Sequence, residues 1–288
     1  MFLDPSASHL IITTTLGENY YLHAQSPSRQ PKPLSRLKGV SIESVAWNPS
    51  LPTASTREIL IGATDGNVYE TYIEPSSYRQ EKYTTPVYQV PGASPVVGIS
   101  AVSVPSKPDQ RRVLVATYGK LLHFIGRAGA SKGREIGVYS ELFQREMPVI
   151  HEVPNPSSSA PSSLVISPTI SESYQAEGYT EKQFAWLSSE GIYHGQLTSE
   201  APFKTANMLA RSVFPASESP RGGRKLIQDP ISAMTLSQWH VLALVGGRVV
   251  AVNRLSQEVV HDQPVLEPGQ SALGLLTDLT KSTYWLFT

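Results

Sequence analysis

The side chains able to do chemistry in this sequence are few and scattered. Its six aspartates are Asp4, Asp65, Asp109, Asp229, Asp262 and Asp278, whereas a glycoside hydrolase needs two or three carboxylates converging on one pocket. Asp65 precedes a glycine, Asp109 lies in a polar loop and Asp229 precedes a proline, all ordinary turn positions. Asp4 and Asp278 end inner strands and are the best placed for catalysis, although that position equally suits a turn that stops a strand. The seven histidines, His9, His23, His123, His151, His194, His240 and His261, never fall at HxH or HExxH spacing, which leaves structural or surface roles. No GxSxG elbow occurs, the serine-rich stretch from Ser157 to Ser163 has loop composition, and the pair at Gly222–Gly223 has neither a preceding strand nor the GK[ST] ending of a phosphate loop. Cysteine is absent, so disulfides, thiolate metal sites and cysteine nucleophiles are excluded together. No catalytic, cofactor-binding or metal-binding residue is assigned.

One charge cluster stands out. Arg29, Lys32, Arg36 and Lys38 lie within RQPKPLSRLK with no acidic residue among them. Such a run could meet an acidic partner surface or anionic lipid, at roughly 1 kcal/mol per cation near a charged membrane. The plainer account is a solvated outer strand whose cations blunt a sheet edge.

Composition limits what could position these groups. The 288 residues are 40% apolar and 17% charged, with 24 basic and 24 acidic side chains. There is material for a core and no basic excess of the kind a dedicated nucleic-acid binder shows. The balance also excludes a disordered acidic chain. The most apolar segment, Val241 to Val252, is much shorter than the roughly 18 residues of a spanning helix and contains Arg248. No basic stretch followed by an apolar one opens the sequence. Twenty-three prolines and 20 glycines favour an all-β chain with many turns.

An internal repeat decides the architecture. An apolar strand, a tight polar or glycine turn and a second apolar strand recur at Leu10–Ala24, Ile59–Ile73, Val113–Gly126, Phe184–Leu197 and Val241–Leu255, with Ser282–Thr288 as a final half. A short strand precedes each hairpin: the MFLD stub, then Ile42–Asn48, Val96–Val104, Ser163–Ser167, Ile231–Leu236 and Ala272–Asp278. Segments around Pro86, Met147–Val153 and Ser256–Gln263 can each hold a fourth strand. Four strands per unit make a propeller blade. The pattern therefore predicts an all-β, WD40-like β-propeller occupying 1–288 as one domain. Five to six blades are represented, at about 1–40, 41–91, 95–153, 162–228, 231–263 and an incomplete 272–288. Blades stack face to face, so runs such as ILIG, VLVAT, FAWL and VLALV are apolar on both sides. Asp65-Gly66 and Gly246-Gly247 supply the positive φ of tight hairpins. Trp47, Trp186 and Trp239 are expected between neighbouring sheets. A short helix is expected at Tyr139–Glu146 and a helical turn at Phe203–Ser212. Residues 154–161 and 215–224 read as loops. Both ends look cut, with further strands expected on either side.

Several separated blocks, in order, carry a resemblance. They are FLDPSASHLIITTTLGENYYLH, KPLSRLKGVSIESVAWN, REILIGATDGNVYE, LHFIGRA, FAWLSSEGIYHGQL and HVLALVGGRVVAVNRLSQEVV. The sequence resembles, over nearly its whole length, the amino-terminal propeller of the vacuolar protein sorting-associated protein 18 family, also called Pep3 or deep-orange, in its fungal form. The resemblance implies a scaffold subunit of the class C Vps core of the HOPS and CORVET tethering complexes. Its partners would be the other class C subunits and, indirectly, SNAREs and Rab GTPases, with no nucleic acid and no cofactor. The implied location is cytoplasmic, peripheral on late endosome and vacuole or lysosome membranes. Family members continue into an α-solenoid and a RING-type zinc domain; neither lies within these 288 residues.

Three readings follow. The first is a non-enzymatic interaction module acting in tethering and membrane fusion, with the insertions at 127–147 and 200–224 as contact segments because long loops on a rigid scaffold carry binding. The second is a propeller hydrolase acting on glycans. The third is a propeller reader of peptides or ubiquitin.

Overall fold

In the computed structural model the described residues are all except 5–6, 27–29, 49–54, 75–80, 105–106, 130–136, 168–181, 198–205, 215, 219–225, 238, 268–269, 271–273, 279–282 and 288. The chain divides into two compact units, Met1–Glu152 and Val153–Thr288. The first holds three antiparallel sheets of four strands. These are β1 (Phe2–Leu3), β2 (His9–Thr13), β3 (Asn19–His23) and β4 (Lys32–Pro33); then β5 (Ile42–Asn48), β6 (Ser55–Ala63), β7 (Asn67–Ile73) and β8 (Glu81–Gln89); then β9 (Gly98–Val104), β10 (Lys107–Ala116), β11 (Lys120–Arg127) and β12 (Val149–Glu152). Helix α1 (Ser140–Arg145) is inserted between β11 and β12.

The second unit holds two four-stranded sheets and two shorter ladders among its described residues. Strands β13 (Ser163–Ile166), β14 (Lys182–Ser188), β15 (Gly191–Leu197) and β16 (Ala206–Ala210) form one sheet. Strands β19 (Ile231–Leu236), β20 (His240–Val245), β21 (Arg248–Asn253) and β22 (Val259–Pro264) form the other. Between them in sequence, β17 (Ala216–Glu218) pairs with β18 (Leu226–Gln228), and β23 (Gly274–Asp278) pairs with β24 (Thr283–Phe287) at the end. In every four-stranded sheet each strand pairs only with its neighbour in sequence, the meander of a propeller blade.

The burial of the strands follows their rank in the sheet. Second strands are apolar on both faces: Ile59, Leu60 and Ile61, Val113 to Ala116, and Phe184 to Trp186 are wholly buried. Outer strands face water, and β22 is exposed along its length. The difference arises because a central strand has a neighbouring sheet on each face, whereas an edge strand has not. In the first unit one apolar cluster joins Ile11 and Tyr21 to Ile59, Ile61 and Ile73, and a second joins Leu60 and Val68 to Val113, Leu122 and Phe124. In the second unit a cluster joins Ala185, Leu187 and Leu209 to Met234, Val241 and Val250. Close packing leaves no room at Gly62, where an added Cβ would fall within 2.4–2.8 Å of Val96 and the Ser44 hydroxyl. The expected turns have positive φ, at +80° for Gly66, +54° for Gly246 and +86° for Gly247.

Three local expectations need correction. Within Phe203–Ser212 the described backbone is not a helical turn first but the strand β16, followed by a 3-10 turn at Arg211–Val213. Pairing with β15, Gly191 opposite Ala210 through Gly195 opposite Ala206, outweighs the helix propensity of Met208 and Leu209. Ala216–Glu218, within the loop expected at 215–224, pairs with β18 as β17. Trp239 is 55% exposed, because it lies in the turn before β20 and not on a strand face; Trp186 is wholly buried and Trp47 packs against the first unit's core.

Candidate interaction surfaces

The acidic and imidazole side chains do structural work where the structure describes them. Asp4 is buried, and its Oδ1 accepts the amides of Ser8 at 2.7 Å and His9 at 2.6 Å, so it closes the turn between β1 and β2. Asp65 accepts the Asn67 amide at 3.0 Å within its hairpin turn. Asp262 pairs with Arg248 at 2.8 Å across β21 and β22, and Asp109 pairs with Arg127 at 3.2 Å on the surface. The side chain of Asp278 lies outside the described residues. Among the described residues no three His, Asp or Glu side chains gather as a metal site would require.

His9 is buried, shares a 2.6 Å hydrogen bond with the Tyr21 hydroxyl and stacks on His23 at 5.0 Å. His123 and His194 are buried on the third strands of two different sheets. Burial first, and then the positive charge of Arg112 or Arg254, lowers them to about 3 and about 4 respectively. Both are neutral at physiological pH, which suits core imidazoles rather than proton shuttles.

The basic segment is brought only partly together. Lys32 is half-buried on β4 opposite Tyr21, whereas Arg36 and Lys38 are exposed on and just after the 3-10 turn Ser35–Leu37. Arg29 lies outside the described residues. Buried Leu34 and Leu37 anchor the turn from below. The Asn19 side-chain amide donates to the carbonyls of Leu37 at 2.7 Å and Val40 at 2.8 Å. A carboxylate enters from another sheet: Glu81, itself buried, accepts the Arg36 amide at 2.9 Å. The presented charge is therefore Arg36 and Lys38 on a rigid base.

The insertion at 127–147 forms α1 as expected, and a residue not anticipated from sequence holds it. Glu70, fully buried on β7, accepts the amides of Val138 at 2.7 Å and Tyr139 at 2.9 Å and the Tyr83 hydroxyl at 2.8 Å. Desolvation raises its pKa, and the two amides and the hydroxyl oppose that rise. Tyr139, Leu142 and Phe143 are buried beneath the insertion, with Phe143 stacked on Tyr88 at 5.2 Å. The signal in the sequence was the lone glutamate inside the apolar strand NVYETYI.

Exposed apolar side chains concentrate on edges and turns. Val149 and Ile150 on β12, Val259 and Val260 on β22, and Trp239 with Leu255 are all open to solvent. Trp239 and Leu255 share one end of their sheet, since the Arg254 amide donates to the Trp239 carbonyl at 3.0 Å. Beside the turn between β14 and β15 lies a cavity of about 270 Å³, lined among others by Ser188, Arg211, Leu187 and Ile231. No described helix is long and apolar enough to cross a membrane.

Meander sheets of four strands, buried on both faces of their central strands and more exposed along their outer ones, are those of a β-propeller of the WD40 kind. Solved structures agree on the fold. Sqt1 of Saccharomyces cerevisiae aligns over 96% of this chain and 65% of its own with a TM-score of 0.57 at 13% identity. The WD40 domain of SCAP from fission yeast aligns over 96% and 58% with a TM-score of 0.57 at 10% identity. More narrowly, the chain belongs to the Pep3/Vps18/deep orange beta-propeller domain family, whose pattern matches residues 1–288. It is 27% identical to vacuolar sorting protein 18 of Arabidopsis thaliana and 27% identical to vacuolar membrane protein pep3 of Schizosaccharomyces pombe, in each case over 100% of this chain. The vacuolar protein sorting-associated protein 18 homolog of Danio rerio is 26% identical over 100% of this chain. The chain spans 28% of the Arabidopsis protein and 29% of the other two. The resemblance seen in the sequence blocks is thus upheld, and neither the glycan-hydrolase nor the ubiquitin-reader reading gains support.

Proposed function

We propose that this chain is a non-enzymatic scaffold propeller in vacuolar protein sorting, its blades forming a single propeller over 1–288. One observation carries the reading: the family pattern covers every residue of the chain. The relatives named as vacuolar sorting proteins support its place. Under this reading its partners are the class C subunits of the HOPS and CORVET complexes, and through them SNAREs and Rab GTPases. It works at the cytoplasmic surface of the late endosome and vacuole. Recognition rests on surface complementarity, with a few aromatic or arginine anchors supplying most of the affinity. The insertion carrying α1 and the exposed pair Arg36 and Lys38 are the surfaces best placed to meet partners.

Affinity purification of the tagged full-length protein tests the reading. Class C subunits are expected to copurify in fixed stoichiometry, and cross-linking mass spectrometry is expected to place cross-links on the insertion at 127–147. Their absence from the purified full-length protein defeats the scaffold. Flotation with anionic vesicles tests the basic segment separately. Charge reversal of Arg29, Lys32, Arg36 and Lys38 is expected to reduce binding, and unchanged binding removes the membrane contact.

A further inference from the structure

Two hairpin turns in the first unit are built alike and differ in what they present. Leu16-Gly17 lies between β2 and β3, and Asp65-Gly66 between β6 and β7. Both glycines have positive φ, +73° and +80°. The Gly17 amide donates to the Thr14 carbonyl at 3.0 Å and the Gly66 amide to the Ala63 carbonyl at 3.2 Å. Each glycine carbonyl accepts an amide from the segment after the fourth strand of its sheet, from Gly39 at 2.8 Å and from Val90 at 2.9 Å. In one turn the residue before the glycine is Asp65, whose Oδ1 accepts the Asn67 amide at 3.0 Å. In the other it is Leu16, 85% exposed, whose side chain makes no such bond.

An exposed leucine is ordinary on any surface, but this one stands where an aspartate suits the turn, and it adds nothing to the core. The backing segment differs in the same direction. Gly66 abuts Ala93 within the uncharged run VPGAS, whereas Gly17 abuts Gly39 within SRLKG, where a Cβ on Gly17 would stand 3.1 Å from the Gly39 Cα. Arg36 and Lys38 are exposed on that run and form no ion pair among the described residues. Asn19 ties the two segments together, since its side-chain amide donates to the carbonyls of Gly17 at 3.3 Å, Leu37 at 2.7 Å and Val40 at 2.8 Å. Glu18, the carboxylate next to the turn, accepts the Tyr20 hydroxyl at 3.0 Å. One apolar side chain and two cations are thus fixed on a common base at one end of the sheet.

We propose that this turn is a bilayer-insertion tip: Leu16 enters the interface of an anionic phospholipid membrane while Arg36 and Lys38 meet its headgroups. The inference rests on the membrane contact proposed for the basic segment and adds to it the residue that leaves water. A bilayer admits a single leucine without a matching cavity, whereas leucine is under-represented among the anchors of protein interfaces. Long stems keep the two cationic heads at headgroup level while the shorter apolar side chain goes deeper, and the anionic surface attracts them without fixed geometry. The Asp65 turn, acidic at its tip and uncharged behind, has neither feature and shows what the same backbone carries when it meets only water.

Sedimentation of the full-length protein with vesicles reads the contact, using phosphatidylcholine mixed with phosphatidylserine against phosphatidylcholine alone. Binding to the mixed vesicles is expected to be about tenfold tighter. Leu16→Asp gives this turn the residue of its counterpart, so the melting temperature is expected to hold while binding to the mixed vesicles weakens about tenfold. Leu16→Trp is expected to bind as the parent does, with added fluorescence that brominated lipid quenches. Arg36→Glu with Lys38→Glu is expected to abolish the preference for phosphatidylserine. Undiminished binding of Leu16→Asp, equal binding to both vesicles, no binding to either, or unquenched fluorescence in Leu16→Trp would overturn the tip. Loss of class C subunits from Leu16→Asp with vesicle binding intact would make the turn a protein contact and overturn it as well. Release by the double charge reversal but not by Leu16→Asp defeats the tip and leaves the basic contact standing, whereas binding unchanged in both defeats the two together.

Discussion

Two segments flank β12 in the sequence and end in opposite ways. Before it, residues 137–146 fold onto their unit as α1; after it, residues 154–162 leave a cavity beside theirs. The first segment, GVYSELFQRE, carries Tyr139, Leu142 and Phe143, which bury three large side chains, and Glu70 accepts the amides at its start. The second, PNPSSSAPS, offers only small and cyclic side chains. These cannot fill the volume between neighbouring sheets, and its serines bond locally to one another and to nearby carbonyls. On the same kind of scaffold, then, side-chain volume decides whether a connection becomes core or becomes the wall of a pocket.

The comparison can be broken most easily on the filled side. Phe143→Ala is expected to cost about 3–5 kcal/mol, as for a buried aromatic that leaves a cavity, measured by urea unfolding of the full-length protein. A loss below about 1 kcal/mol would mean that α1 is not part of the core. Glu70→Gln should cost about 2 kcal/mol, because an amide oxygen replaces a carboxylate that accepts from three donors; hydrogen exchange at Val138 and Tyr139 should quicken in parallel.

Acid sharpens the contrast by acting on both units alike. His123 and His194 are held far below the ordinary value near 6.5, so unfolding takes up protons as the medium is acidified. Stability is therefore complete above about pH 6.5 and falls as pH drops toward 4, by about 1.4 kcal/mol per pH unit for each histidine. His194→Gln should remove one histidine's share of that slope, and a slope that does not change would show that His194 is already protonated in the folded state. The smallest effect belongs to the serine side. Ser157→Ala with Ser159→Ala should alter stability by less than about 0.5 kcal/mol, measured by the same unfolding titration.

Much of this was legible before the structure. The paired apolar runs around Asp65-Gly66 and Gly246-Gly247 specified hairpins, since only a tight turn with positive φ joins two such runs. A helix was expected at Tyr139–Glu146, and α1 (Ser140–Arg145) lies within that run, which contains neither glycine nor proline. Strand β16 was not readable, because Ala206, Met208, Leu209 and Ala210 favour a helix and the segment is held extended by its pairing with β15. Nor was the exposure of Trp239, since a tryptophan in a turn and one on a strand look identical in sequence. Glu70 could be flagged as a charge in an apolar strand, but its partners stand 68 and 69 residues further along the chain.

The chain's own order of residues was sufficient for the repeat, the class of fold and the family, because strand and turn preferences act over a few neighbouring positions and recur five times. It also sufficed to set aside thiolate chemistry, since the sequence contains no cysteine. Only the tertiary arrangement decided that Asp4 caps a turn, that Glu70 anchors an insertion, and that Arg211 shares a cavity with serines more than 50 positions earlier. Those outcomes depend on which surfaces meet when sheets stack, and no local preference encodes such a meeting.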